Sequence, residues 1–159
     1  MESGKDKMKF IKSSEKRRIV EKLNEQFGIA ELPYLLIQAG REKIRGYSGH
    51  LSKDEIVDIG KIANVEIIGL YLMKEEHDKK IIRLGFDTTQ LLRKQITKNI
   101  LEISKEEFNL WIRGYDLDKE TPNGIYIIMY DDIFLGCGIS NGKRVFNYVP
   151  KDRRIKKPL

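Results

Sequence analysis

The sequence predicts an α+β protein: a helix-covered, largely antiparallel sheet followed by a small β-rich unit. Three observations carry this. Segments of helical and of strand period succeed one another in the order helix-strand-strand-helix-strand-strand-helix over residues 13–98, a succession expected to build an α/β sandwich. Two Ser-x-x-Glu stretches, Ser52–Glu55 and Ser104–Glu107, each announce a helix start. From Asn123 to Arg154, three short β-prone runs are joined by tight turns.

In chain order, residues 1–12 read as a flexible terminus, within which Phe10 and Ile11 can add a short edge strand. Ser13 or Ser14 is expected to cap a helix running to Phe27. Ile19, Val20, Leu23 and Phe27 share one face of it, and Gly28 ends it. Leu32–Gln38 and Lys43–Ser48 read as strands around a turn at Ala39-Gly40. The capping box at Ser52 opens a helix to Ile62 that should bury Ile56, Ile59 and Ile62. Val65–Met73 reads as a mostly buried strand. Glu75–Lys80 reads as a polar turn, and Ile81–Phe86 as the returning strand of a hairpin. Asp87, Thr88 or Thr89 should cap a helix bearing Leu91, Leu92 and Ile96.

The domain boundary falls near Lys98, giving 13–98 and 99–159. Ile100–Ile103 reads as a strand. The capping box at Ser104 opens a short helix with Phe108, Leu110, Trp111 and Ile112, ended by Gly114. Asp116–Asn123 is a polar loop. Ile125–Tyr130 follows as a strand, and Asp131-Asp132 turns the chain. Ile133 opens the next strand, where Gly136-Cys137-Gly138 permits a bulge or a close backbone approach. Asn141-Gly142 signals a type I′ hairpin turn into Val145–Val149, which Pro150 stops.

The chain has 159 residues and a formal net charge of +6. Residues 141–159 hold seven cations and one anion, so this end alone accounts for the excess, and 23 cations and 23 anions balance elsewhere. One-ended positive charge suits a polyanion partner, and Phe146 and Tyr148 among the cations add surfaces for bases to stack on. Lys143, Arg144, Lys151, Arg153 and Arg154, with Tyr148 among them, are the candidate RNA-binding set, against the alternative of a frayed, solvated basic tail. Lys156 and Lys157 read as auxiliary and mobile. Arg41, Lys43 and Arg45, interrupted by Glu42, read as a solvated strand face.

Catalytic chemistry has little foothold. The sole cysteine, Cys137, lies between glycines in a strand and reads as a small buried hydrophobe. His50 and His77 are isolated, and no His/Cys/carboxylate spacing suits a metal. Glu75-Glu76, Glu106-Glu107 and Asp131-Asp132 are adjacent pairs, which do not face one site. Trp111, Tyr126 and Tyr130 read as packing residues. No catalytic residue, metal or cofactor is expected. No apolar run reaches membrane-span length, and the N-terminus has no apolar signal core, so a cytoplasmic protein without a membrane partner is expected.

A resemblance adds to this. Trp111, Gly114, Asp116 and Leu117, then Gly124, Tyr126 and Tyr130, then Leu135–Gly138, then Asn147, Tyr148, Pro150, Lys151 and Arg154 form an ordered set. It resembles the PUA-like RNA-binding domain at the C-terminus of Sun/Nol/Nop-family RNA cytosine-5 methyltransferases. Gly49–Glu55, Val65–Tyr71 and Arg83–Leu92 resemble the pre-PUA domain of small two-domain ribosome-biogenesis factors. The resemblance implies a non-catalytic RNA-binding protein of ribosome biogenesis, in rRNA processing or modification, docking on structured RNA such as an rRNA precursor or a tRNA. The competing expectations are an accessory RNA-binding subunit for a separate RNA methyltransferase or another ribosome assembly factor, and a protein-interaction module using the apolar face around Ile67–Met73 or a free sheet edge.

Overall fold

The computed structural model describes residues 9–159. The flexible terminus expected over residues 1–12 lies outside that range up to residue 8, and Lys9–Phe10 form a short edge strand. The first half is an antiparallel meander of five strands in sequence order: β1 (Lys9–Phe10), β2 (Leu35–Ala39), β3 (Lys43–Tyr47), β4 (Leu70–Glu76) and β5 (Ile81–Leu84). Helix α1 (Ser13–Phe27) covers it through Ile19, Leu23, Gln26 and Phe27, and Gly28 at φ 83° closes the helix. The N-cap of α1 is Lys12, not a serine, and its side chain makes no capping bond. The buried Gln26 amide binds both the N–H (2.9 Å) and the carbonyl (2.8 Å) of Ile82. It thereby satisfies backbone groups on the last strand of the meander that a further strand would otherwise pair.

The buried face of α2 and the start of β4 also differ from expectation. Helix α2 (Lys53–Ile62) has its complete capping box, yet only Ile56 is buried, while Ile62 is 87% exposed. The apolar spacing was helical, but no element covers the rest of that face. Strand β4 begins at Leu70 instead of Val65, because its pairing with β3 ends at Gly46↔Leu70 and the residues before it find no ladder partner. It then runs through Glu75-Glu76, which pair with Ile82 and Ile81. The reversal is a single 3-10 turn, His77–Lys79, closed by Lys80 at φ 54°.

Helix α3 (Phe86–Leu91) is capped by Gly85, two to four residues earlier than expected. Thr88 and Thr89 are buried inside it rather than capping it. Leu92 and Ile96 are buried as expected, while Leu91 is exposed.

The second sheet has the order β6 (Ile100–Glu102), β7 (Thr121–Tyr130), β8 (Ile133–Gly142), β9 (Val145–Asn147). β6 runs parallel to β7, and the other pairs are antiparallel. Helix α4 (Lys105–Trp111) follows its capping box, and Gly114 at φ 92° lies just past its end. Both readings of the Gly136–Gly138 stretch are realised. Gly136, at φ 80°, lies in the irregularity of β8 between the pairs Ile127↔Cys137 and Met129↔Phe134. A Cβ on Gly138 would lie 2.6 Å from Val145 and 2.9 Å from Trp111.

The hairpin turns are exchanged relative to expectation. Positive φ at both central residues occurs at Asp131 (48°) and Asp132 (60°), so the I′ geometry is there. At the second turn only Gly142 has positive φ, and Asn141 serves from outside the bend. Its Oδ1 accepts the amides of Lys143 (3.1 Å) and Arg144 (2.9 Å).

Two hydrophobic clusters form the interior. One lies under α1 and the first sheet but also contains Ile125, Ile127, Phe134 and Cys137 of the second. The other gathers Trp111, Ile112, Leu117, Ile128, Leu135, Val145 and Val149 around α4. Trp111 is fully buried, and its indole N–H donates to the Leu135 carbonyl at 2.9 Å.

Candidate nucleic-acid interface

Strand β9 is the outer strand of the second sheet, met beyond by a bridge from Leu117 to Val145 and by the Asp116 carboxylate. The candidate RNA-binding residues lie at its two ends. Lys143 and Arg144 stand at the β8–β9 turn. Tyr148, Lys151, Arg153 and Arg154 follow beyond its other end, about 10 Å away for three extended residues. They form a strip along the sheet edge rather than one cluster.

Their partners differ. Lys143 and Lys151 are exposed, and neither makes a salt bridge among the described residues. Arg144 is exposed and paired with Asp118 at 2.9 Å. Arg153 forks onto Asp87 of α3, with Nη2 at 2.8 Å and Nε at 3.2 Å from its oxygens. Arg154 donates Nε to the Val149 carbonyl at 2.9 Å and packs over Gly114, where a side chain would collide with it. Tyr148 is half-buried, with the Arg83 guanidinium 4.1 Å from its ring centroid. Arg83 is bound in turn to Glu76 at 2.9 Å, and Lys79 reaches Glu76 at 3.4 Å. Burial favours a protonated Glu76, but the hydrogen bond and charge of Arg83 with the charge of Lys79 outweigh it, so the carboxyl titrates below its ordinary value.

Asn147 holds the strip in place. Its backbone N–H binds Asp116 at 2.8 Å, its side-chain NH2 binds the carbonyls of Trp111 (2.8 Å) and Tyr115 (2.9 Å), and its Oδ1 accepts the Val149 amide at 2.8 Å. Three of these bonds tie the edge strand to the end of α4 and the residues just after it, and the fourth is local. The residues after Arg154 are also held: Ile155 N–H binds the Ile112 carbonyl at 3.0 Å, and Leu159 N–H binds Asn109 at 3.1 Å. The exposed Lys156 and Lys157 therefore stand beside α4 on a tail anchored at both sides, where a mobile tail was expected.

The packing residues behave as such. Tyr130 stacks on Phe108 at 4.4 Å, and the Tyr126 hydroxyl donates to the Pro122 carbonyl at 2.9 Å. Cys137 is buried, and burial pushes its thiol up to about 12, so it stays protonated at neutral pH. Sequence reasoning missed Tyr115, which is 55% exposed at the end of α4 with Arg113 5.1 Å from its ring. It also missed Lys79, Arg83 and Asp87, and it placed Arg45 on a solvated strand face. Arg45 is not a solvated cation: it is half-buried and bonded to the carbonyls of Ile68 and Gly69. Arg83 lay within a recognised motif, but nothing local pairs it with Tyr148, 65 positions away.

This sheet, with its basic edge and the short helix packed on it through a buried tryptophan, is the C-terminal, β-rich part of an α+β protein. Residues 98–155 match the family model for the PUA domain of the methyltransferase RsmF. No curated protein matches the chain. Among the described residues, no helix is long and apolar enough to cross a membrane.

Proposed function

We propose that this protein binds structured RNA along the β9 edge, without catalysing a reaction on it, as a cytoplasmic factor of ribosome biogenesis. The observation that carries the reading is the coincidence of the whole net positive charge with the outer strand of the PUA-like unit. Lys143 and Lys151 are free to neutralise phosphates at the two ends of the strip. Arg144 and Arg153 can exchange exposed carboxylates for phosphate. Arg154 acts mainly by holding the Val149–Gly114 corner. Tyr115, 55% exposed, is better placed than the half-buried Tyr148 to stack on an unpaired base. The RNA would be an rRNA precursor or a tRNA, read by shape and phosphate rather than by a base code.

The test is binding of purified protein to fragmented ribosomal RNA across a salt series, beside a Lys143→Glu/Lys151→Glu variant. These two exposed side chains support no packing, so the fold should survive. Expected is a large loss of affinity, with the slope of log affinity against log salt shallower by about two. Equal binding by both proteins would place the RNA elsewhere.

A second reading follows from the family matched. Its PUA domain belongs to a methyltransferase, so this chain could supply the RNA-binding part to a separate RNA methyltransferase. Retention of such an enzyme on the immobilised protein after nuclease treatment would favour it.

A further inference from the structure

A groove of about 290 Å3 lies on the seam between the two sheets. Arg45, Tyr71, Phe86 and Asp87 come from the first half, and Asp152 and Arg153 from the segment after β9. Arg45 is the unusual member. Its Nε and Nη2 are held by the Ile68 and Gly69 carbonyls, which fix the guanidinium plane. Yet no carboxylate lies within salt-bridge distance of it among the described residues. A half-buried guanidinium bonded only to neutral carbonyls keeps its full charge for an incoming anion, and its orientation is already set. On the same groove, Arg153 is exposed and its partners Asp87 and Asp152 are exposed too, so these pairs are weak and exchangeable. Tyr71 stays protonated because burial raises its phenol, so its hydroxyl remains available as a donor.

We propose that this groove is a phosphate subsite of the RNA surface, with Arg45 and Arg153 taking one backbone phosphate between them. The inference rests on the RNA reading above and extends the bound surface across the seam into the first half. Asp87 and Asp152 oppose the phosphate and hold its affinity down.

The experiment measures binding to ribosomal RNA fragments across a salt series for the full chain and three variants: Arg45→Gln, Asp152→Asn and Asp54→Asn. Asp54 lies on α2, whose neighbouring Lys53 stands over Phe10 of β1, and it does not line the groove. Expected are a several-fold loss and a salt slope shallower by about one for Arg45→Gln, tighter binding for Asp152→Asn, and no change for Asp54→Asn. The Asp152 variant tests the groove even if loss of Arg45 disturbs folding, since Asp152 is exposed and its effect is a gain. If Arg45→Gln and Asp152→Asn both match wild type while Lys143→Glu/Lys151→Glu loses binding, the subsite is refuted and the RNA reading stands. An equal gain from Asp54→Asn would also refute it, by showing a general charge effect. If the wild-type chain binds no RNA, both readings fall.

Discussion

Gly138 shows how little room the second sheet leaves around Trp111. The fully buried indole closes the space above β8, Val145 closes it from β9, and a methyl group has nowhere to go. Gly138→Ala should therefore lower stability by about 1–3 kcal/mol, the usual cost of overpacking, as read from denaturant midpoints. The conformational stiffening that alanine brings to the unfolded chain, about 0.4–1 kcal/mol, is too small to offset this. Gly60, where an added Cβ meets nothing within 4 Å, is the natural comparison. Gly60→Ala on exposed α2 should stabilise, by about 0.5–1 kcal/mol, through helix propensity.

Among the elements, the two hairpin turns test how turn chemistry distributes. Asp131 and Asp132 both carry positive φ, which suits Asn-Gly better than Asp-Asp. Asp131→Asn/Asp132→Gly should raise stability by roughly 0.5 kcal/mol: relief of left-handed strain exceeds the added freedom of glycine in the unfolded state. At the other turn, Asn141 works through its side chain, so Asn141→Ala loses two amide contacts and should cost about 1 kcal/mol. A thermal melt of each variant separates the two cases, since the shifts have opposite sign.

At the scale of the whole molecule, the two sheets share one cluster of buried side chains, so the first half does not close its core without the second, and the second adds its own cluster around α4. Backbone and side-chain bonds cross the seam as well: Thr89 Oγ1 accepts the Gly136 amide at 3.1 Å, and Gln90 Oε1 accepts the Phe134 amide at 3.0 Å. A fragment of residues 98–159 would expose Ile125, Ile127, Phe134 and Cys137 to water. It should show poorly dispersed amide resonances where the full chain unfolds in one cooperative step. The same seam carries a pH dependence. Glu76 titrates below the ordinary value of 4.5 in the folded protein. Its contribution is therefore complete above about pH 4.5 and is lost as pH falls through the lowered folded value. Glu76→Gln should be less stable than wild type at pH 7 and should lose less on acidification, with the two melting temperatures converging in acid.

The sequence by itself determined the secondary-structure order, the two capping boxes, the buried roles of Trp111 and Cys137, and the charge-bearing end of the chain. These follow from local periodicity, from spacing within one helical turn and from composition, all of which act over a few residues. It misplaced the buried face of α2, the start of β4 and the I′ turn. Those depend on which neighbour covers a surface, where a ladder partner runs out, and how two strands meet in register. The candidate site divides the same way. Lys143 and Lys151 are visible as cations in a basic segment, whereas the pairing of Tyr148 with Arg83, of Arg153 with Asp87, and the carbonyl-held Arg45 arise only when the two sheets pack. Contacts between residues about 65 positions apart are set by the shared core, and no local pattern in the chain encodes them.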